Sequence, residues 1–181
     1  MTKASLNLPN ILALFRIALA PLMLWFFIDR HNPIFSSWHP SWFDYFAGLI
    51  FVIASVTDFF DGFIARNWDQ MTKLGGILDP LADKMLVLAG FLGLMVIDRA
   101  SAWAVFLILS REFFITGLRV VAVSEGKNVS STMAGKIKTV VQMIAIGFLT
   151  MNWPFAIEFL WLAVILTIYS GYEYTRDYFK L

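Results

Sequence analysis

Six apolar stretches, at about 10–28, 43–65, 79–97, 101–123, 135–151 and 154–175, take up most of this 181-residue chain. A helix needs about 20 such residues to cross roughly 30 Å of hydrocarbon. The chain is 59% hydrophobic and only 15% charged, with a mean hydropathy of +0.72, whereas soluble domains sit near 45–50% apolar and roughly 25% charged. The expectation is therefore an all-α integral membrane protein of six transmembrane helices, forming one domain over 1–181. Several stretches reach spanning length only by admitting charged residues near their ends, which turns attention to those charges.

The breaks between stretches are well marked. Asp29-Arg30-His31-Asn32-Pro33 closes the first, Asp98-Arg99 separates the third from the fourth, and Asn152-Trp153-Pro154 makes a tight turn before the sixth. Proline restricts both itself and the residue before it. Trp38, Trp42 and Tyr45 in the first loop suit a membrane–water interface. Lys3, Arg66, Lys73, Arg119, Lys127, Lys136, Arg176 and Lys180 fall on one side, Arg30 and Arg99 on the other. Eight against two puts both termini and the loop between the second and third stretches in the cytoplasm, where Lys and Arg accumulate. The opening MTKASLNLPN reads as mature sequence leading into a first helix. Zero cysteines exclude disulfides, thiol catalysis and cysteine metal sites. A net charge of +1 with no long basic run gives no nucleic-acid signature.

The chemistry concentrates in SVTDFFDGFIARNWDQMTKLGGILDPLADKML, which holds Asp58, Asp61, Gly62, Ala65, Arg66, Gly75, Asp79 and Asp83. Ionised groups at a bilayer edge are costly and usually functional. Asp58 and Asp61 stand at i, i+3 and Asp79 and Asp83 at i, i+4, so each pair shares a helix face. If the two helix ends face each other, four carboxylates converge. An all-oxygen donor set without nearby His or Cys favours Mg²⁺ or Mn²⁺ over zinc, and a pair of such ions suits phosphoryl displacement. Gly62 and Ala65 remove bulk beside the acids, and Gly75-Gly76 permits close backbone approach in the connecting loop. Pro80 after Asp79 has the form of a helix start capped by Asp79, and Arg66 offers a bidentate phosphate contact. The bland alternative pairs the acids with Arg66, Lys73 and Lys84 along a solvated loop.

The full pattern, D-x2-D-G-x2-A-R-x8-G-x3-D-x3-D, resembles that of the CDP-alcohol phosphotransferases, and all eight positions match. The resemblance implies six transmembrane helices, frequent homodimers, and two divalent cations held between the second and third helices. It implies transfer of a phosphatidyl group from a CDP-linked donor such as CDP-diacylglycerol to an alcohol, with release of CMP, at the inner membrane of a bacterium. By position, Asp58, Asp61, Asp79 and Asp83 would ligate the metals, and Asp83 would also take the proton of the acceptor hydroxyl. Asp58, Asp61, Gly62, Ala65, Arg66 and Gly75 would form the CDP-donor site.

The acceptor is read from the remaining cations. Arg111 and Arg119 in the fourth stretch are eight residues apart, an offset of about 80° on a helix. With Lys136 and Lys138 at the start of the fifth they offer sites for a phosphate on the acceptor, which describes sn-glycerol 3-phosphate. The long LPNILALFRIALAP, REF…LR and GK-K-T…Q stretches extend the resemblance over nearly the whole chain, with Ala13 standing where related sequences commonly carry threonine. Inositol phosphate, serine or a lipid alcohol are alternative acceptors. A divalent-cation transporter or an inactive lipid-binding scaffold are alternatives of another class; acids clustered at one membrane edge argue against a conduit. Arg16 has an Asp or Glu112 as its expected partner, Arg111 and Glu112 an internal ion pair as the alternative to phosphate binding. His31 and His39 receive no catalytic role, and Glu158 no role at all.

Overall fold

The computed structural model describes residues 8–35, 37–67, 75–126 and 132–180, without the side chains at 9, 31, 34, 59–67 and 76. It contains six α-helices and no strand among the described residues: α1 Leu8–Ile28, α2 Ser41–Asn67, α3 Gly75–Val96, α4 Ala102–Ser124, α5 Met133–Met151 and α6 Ala156–Lys180. Each apolar stretch of the sequence became one helix. By length and composition alone α1, α5 and α6 suffice to cross a membrane. The other three carry ionisable groups within their length: Asp58 and Asp61 in α2, Asp79, Asp83 and Lys84 in α3, and Arg111, Glu112 and Arg119 in α4.

The chain divides into two compact units, Met1–Ile97 and Asp98–Leu181. In the first, α1 packs along both α2 and α3, which meet each other over a shorter stretch. Each helix brings a pair of buried alanines seven residues apart to that core: Ala13 and Ala20, Ala47 and Ala54, Ala82 and Ala89. Two turns separate the members of each pair, so they lie on one face, and small residues there let helix backbones approach closely. Gly93 takes this furthest, since a Cβ on it would fall 2.2 Å from Phe27 Cδ2. The outward faces carry Ile11, Phe15, Leu22, Trp25, Leu49 and Val52, side chains suited to a lipid solvent.

Between α1 and α2 the chain makes two short 3-10 turns, Asp29–His31 and Pro33–Phe35. Phe35 rings pack edge-on against Trp25 and Phe43 and tilted against Trp38. Arg30 forms an ion pair with Asp44 and lies 5.7 Å from the Phe27 ring centroid. The interfacial aromatic group is thus also the packing that joins the two helices.

In the second unit α6 packs against both α4 and α5. Gln142 of α5 donates to Thr167 Oγ1 of α6 at 3.0 Å, with both residues buried. Thr132 caps α5 by accepting from the Gly135 amide, 3.1 Å. At the other end Asn152 adopts the left-handed conformation, φ 52°, and its N–H and that of Trp153 return to Leu149 and Phe148. Arg99 donates to the Thr150 carbonyl at 2.7 Å, satisfying an oxygen that the helix end leaves without an intrahelical donor.

One local expectation is corrected. Asp79 is not a helix cap: α3 begins at Gly75, and Pro80 lies inside it. Pro80 forfeits the one hydrogen bond its own amide would have made to the carbonyl four residues earlier, a loss confined to the second turn of the helix. Gly75, buried, belongs to the first turn of α3 rather than to the connecting loop.

Candidate active site

Among the described residues the acids of α2 and α3 share one neighbour, and it comes from α1. Arg16 is the only ionisable residue of its helix and is 1% exposed. Its Nη1 donates to Asp58 Oδ1 and lies 3.5 Å from Asp83 Oδ1. Its Nη2 lies 3.7 Å from Asp79 Oδ1. The three carboxylates are 37%, 43% and 48% exposed in the order Asp58, Asp79, Asp83. The cluster therefore has a buried cationic floor and an open anionic rim. The packing of α1 against both other helices produces this, since it carries Arg16 to the place where the two acidic helices come together.

Asp61 follows Asp58 by three residues on the same helix, and the backbone of α2 continues through Gly62, Ala65 and Arg66 to Asn67; the side chains of these four site candidates lie outside the described residues, as does Lys73. No three carboxylates among the described residues close into a ready-made metal group; they are gathered around Arg16 instead. Their donor chemistry nonetheless suits a hard divalent cation, being all carboxylate oxygen. Asp79 Oδ1 is buried and accepts no hydrogen bond, with the Arg16 guanidinium near it at 3.7 Å, so its donor capacity fits a hard cation.

The second unit builds a cluster of opposite sign. Glu112 of α4 receives Lys138 of α5 and lies 3.5 Å from Arg111 Nη1. All three are largely buried, at 14% exposure for Arg111, 17% for Glu112 and 6% for Lys138. Arg111 also lies against Gly171 of α6, where a Cβ would sit 3.0 Å from its Cγ. One α-helical turn on, Tyr174 presents its ring to Arg119, whose Cζ is 5.8 Å from the ring centroid, within cation–π range. The Tyr174 hydroxyl is buried without a hydrogen-bond partner. Tyr178 donates to Glu125 at 3.1 Å and ties the end of α6 to the end of α4.

Of the four cations proposed for an acceptor phosphate, the fold brings Arg111 and Lys138 together on Glu112, sets Arg119 on Tyr174, and leaves Lys136 exposed. Lys136 and Lys138 are two residues apart, about 200° on a helix, so one points outward while the other is buried. Sequence reasoning missed Tyr174 and Gly171. A tyrosine and a glycine three residues apart near the end of an apolar helix carry no signal until α6 is laid against α4. It also left Arg16 between two possible partners, since only the packing of α1 selects the aspartates.

Comparison with known proteins agrees with this architecture. A sequence profile described as CDP-alcohol phosphatidyltransferase matches residues 6–169. A protein of Bacillus subtilis (strain 168) named CDP-diacylglycerol--glycerol-3-phosphate 3-phosphatidyltransferase is 40% identical, over 93% of each chain. Proteins of the same name from Escherichia coli (strain K12) and Shigella flexneri serotype 5b are 35% identical, over 93% of this chain and 92% of theirs. A profile that spans most of the chain, together with relatives similar along nearly their whole length, shows that this chain belongs to the CDP-alcohol phosphatidyltransferase family.

Proposed function

We propose that the protein transfers the phosphatidyl group of CDP-diacylglycerol to sn-glycerol 3-phosphate, giving phosphatidylglycerophosphate and CMP. The observation that carries the reading is the open rim of Asp58, Asp79 and Asp83 around a buried arginine, in a chain whose relatives bear that activity in their names. Asp58, Asp61, Asp79 and Asp83 would hold two divalent cations, Mg²⁺ or Mn²⁺. Bound there, such ions supply Lewis-acid charge to a pyrophosphate and to the departing CMP oxygen.

The chain's own residues do the rest. Asp83, the most exposed of the three described acids, accepts the proton of the acceptor hydroxyl. The freed oxygen attacks the phosphorus that bears the diacylglycerol; a new P–O ester forms as the bond to the bridging oxygen breaks, and CMP leaves with that oxygen. Gly62 and Ala65 keep the α2 surface low for the nucleotide, with Arg66 against its phosphate, and Gly75 at the start of α3 completes the donor site. Arg111, Arg119, Lys136 and Lys138 receive the acceptor's phosphate. With Glu112 counted, that set keeps three positive charges in excess, which favours a phosphorylated acceptor over serine.

The excess of Lys and Arg on one set of loops supports a site and termini facing the cytoplasm, in a bacterial inner membrane. Six spans and a homodimer belong to the same reading. CMP release by the purified full-length protein in detergent tests it, with CDP-diacylglycerol and, separately, glycerol 3-phosphate, inositol phosphate, serine or no acceptor. Each arm is repeated with chelator. The expected result is release that needs both glycerol 3-phosphate and a divalent cation. Release with another acceptor removes the acceptor assignment, and release in chelator removes the metals.

A further inference from the structure

The geometry points to Arg16 as a competing internal cation, which we propose holds the carboxylates of α2 and α3 together and contends with divalent metal for their oxygens. The inference rests on the reading that these acids bind divalent cations. A lone guanidinium in the middle of an apolar helix is expensive to bury unless opposite charge meets it. Here the charge comes from two other helices, so Arg16 is what the acids of α2 and α3 have in common. Its three contacts are unequal. Asp58 takes the tight hydrogen bond, Asp83 a long one of 3.5 Å, and Asp79 an ion-pair contact at 3.7 Å. The two looser carboxylates are also the two more exposed. They can turn toward a cation arriving from water while Asp58 stays tied to the floor of the site.

Charge counting gives the direction of the effect. Three carboxylates with Arg16 carry a net charge of −2; without it they carry −3 and repel one another uncompensated. A neutral side chain at position 16 should thus weaken the metal-free protein and tighten its grip on a divalent ion. Arg16 is a positioning residue in this scheme. It makes metal binding an exchange of one cation for another, which limits affinity and keeps the acids gathered between turnovers.

The test is Mn²⁺ titration of metal-stripped full-length protein without substrates, following free Mn²⁺ by electron paramagnetic resonance. Arg16→Gln and Arg16→Met should bind Mn²⁺ roughly tenfold or more tightly than wild type, as expected for removing a like charge within a few ångströms. Arg16→Lys keeps the charge and should stay within about threefold of wild type. In chelator the neutral variants should unfold at lower temperature, and Mn²⁺ should raise their midpoint more than it raises that of wild type. A neutral variant that purifies only with Mn²⁺ present is the same result in extreme form. Unchanged or weaker Mn²⁺ binding by both neutral variants overturns the proposal, as does a failure of both to purify even with Mn²⁺. If wild type itself binds no Mn²⁺, it is the metal reading of the acids that fails.

Discussion

The two units solve one electrostatic problem with opposite signs. In the first, a single cation, Arg16, faces three acids; in the second, a single anion, Glu112, faces Arg111 and Lys138. They differ in what stays open. Around Arg16 the central ion is sealed and its partners are 37–48% exposed. Around Glu112 every member is at most 17% exposed. A buried charge with exposed partners leaves carboxylate oxygens accessible from outside, whereas a triad closed on itself links helices while keeping one positive charge in excess. The first arrangement is the one we propose binds divalent cations. The second ties α4 to α5 through Glu112 and Lys138 and keeps two further cations, Arg119 and Lys136, exposed.

If that contrast is right, the largest effect follows from the open cluster. Asp83→Asn should lower CMP release about a thousandfold or more, the range expected when a general base is lost. The variant should remain folded, because Asp83 is half exposed and not the tight partner of Arg16. Activity within tenfold of wild type would remove Asp83 from the base role. In the closed cluster the order reverses, with stability affected more than chemistry. Glu112→Gln leaves two buried cations without their anion, and breaking such a pair costs about 3 kcal/mol. Thermal unfolding in detergent reads it, and an unchanged midpoint would mean that Glu112 holds nothing together.

The smallest effect separates the ring of Tyr174 from its hydroxyl. Tyr174→Leu removes the face on which Arg119 rests and should raise the KM for glycerol 3-phosphate about threefold, in keeping with a cation–π contact of roughly 0.5–1 kcal/mol. Tyr174→Phe keeps the ring and discards a buried hydroxyl that has no partner, so its KM should match wild type. A rise in KM with Phe would assign the hydroxyl, and not the ring, to the acceptor.

The aliphatic and aromatic stretches were legible because hydropathy and length act locally: each became a helix, with ends close to the marked breaks. The start of α3 was not. Pro80 has the look of a first helical residue, yet the helix begins five residues earlier at Gly75. Pro80 costs that helix only its own amide hydrogen bond, so the proline sits inside the helix rather than marking its first residue. The acids of the site were legible for a related reason. Spacings of three and four put residues on one face of any helix, whatever that helix packs against.

Six helices, a membrane as solvent, the shared faces of Asp58 with Asp61 and of Asp79 with Asp83, and the excess of basic residues on one set of loops could all be read along the chain. These depend on hydropathy, chain length and helical periodicity, all properties of neighbouring residues. Helix packing alone brings Arg16 to the aspartates, draws Lys138 to Glu112 from 26 positions away, and rests Arg119 on Tyr174. Each is a pairing between helices distant along the chain. A charge in an apolar helix must find a partner, but which one is set by how the helices pack.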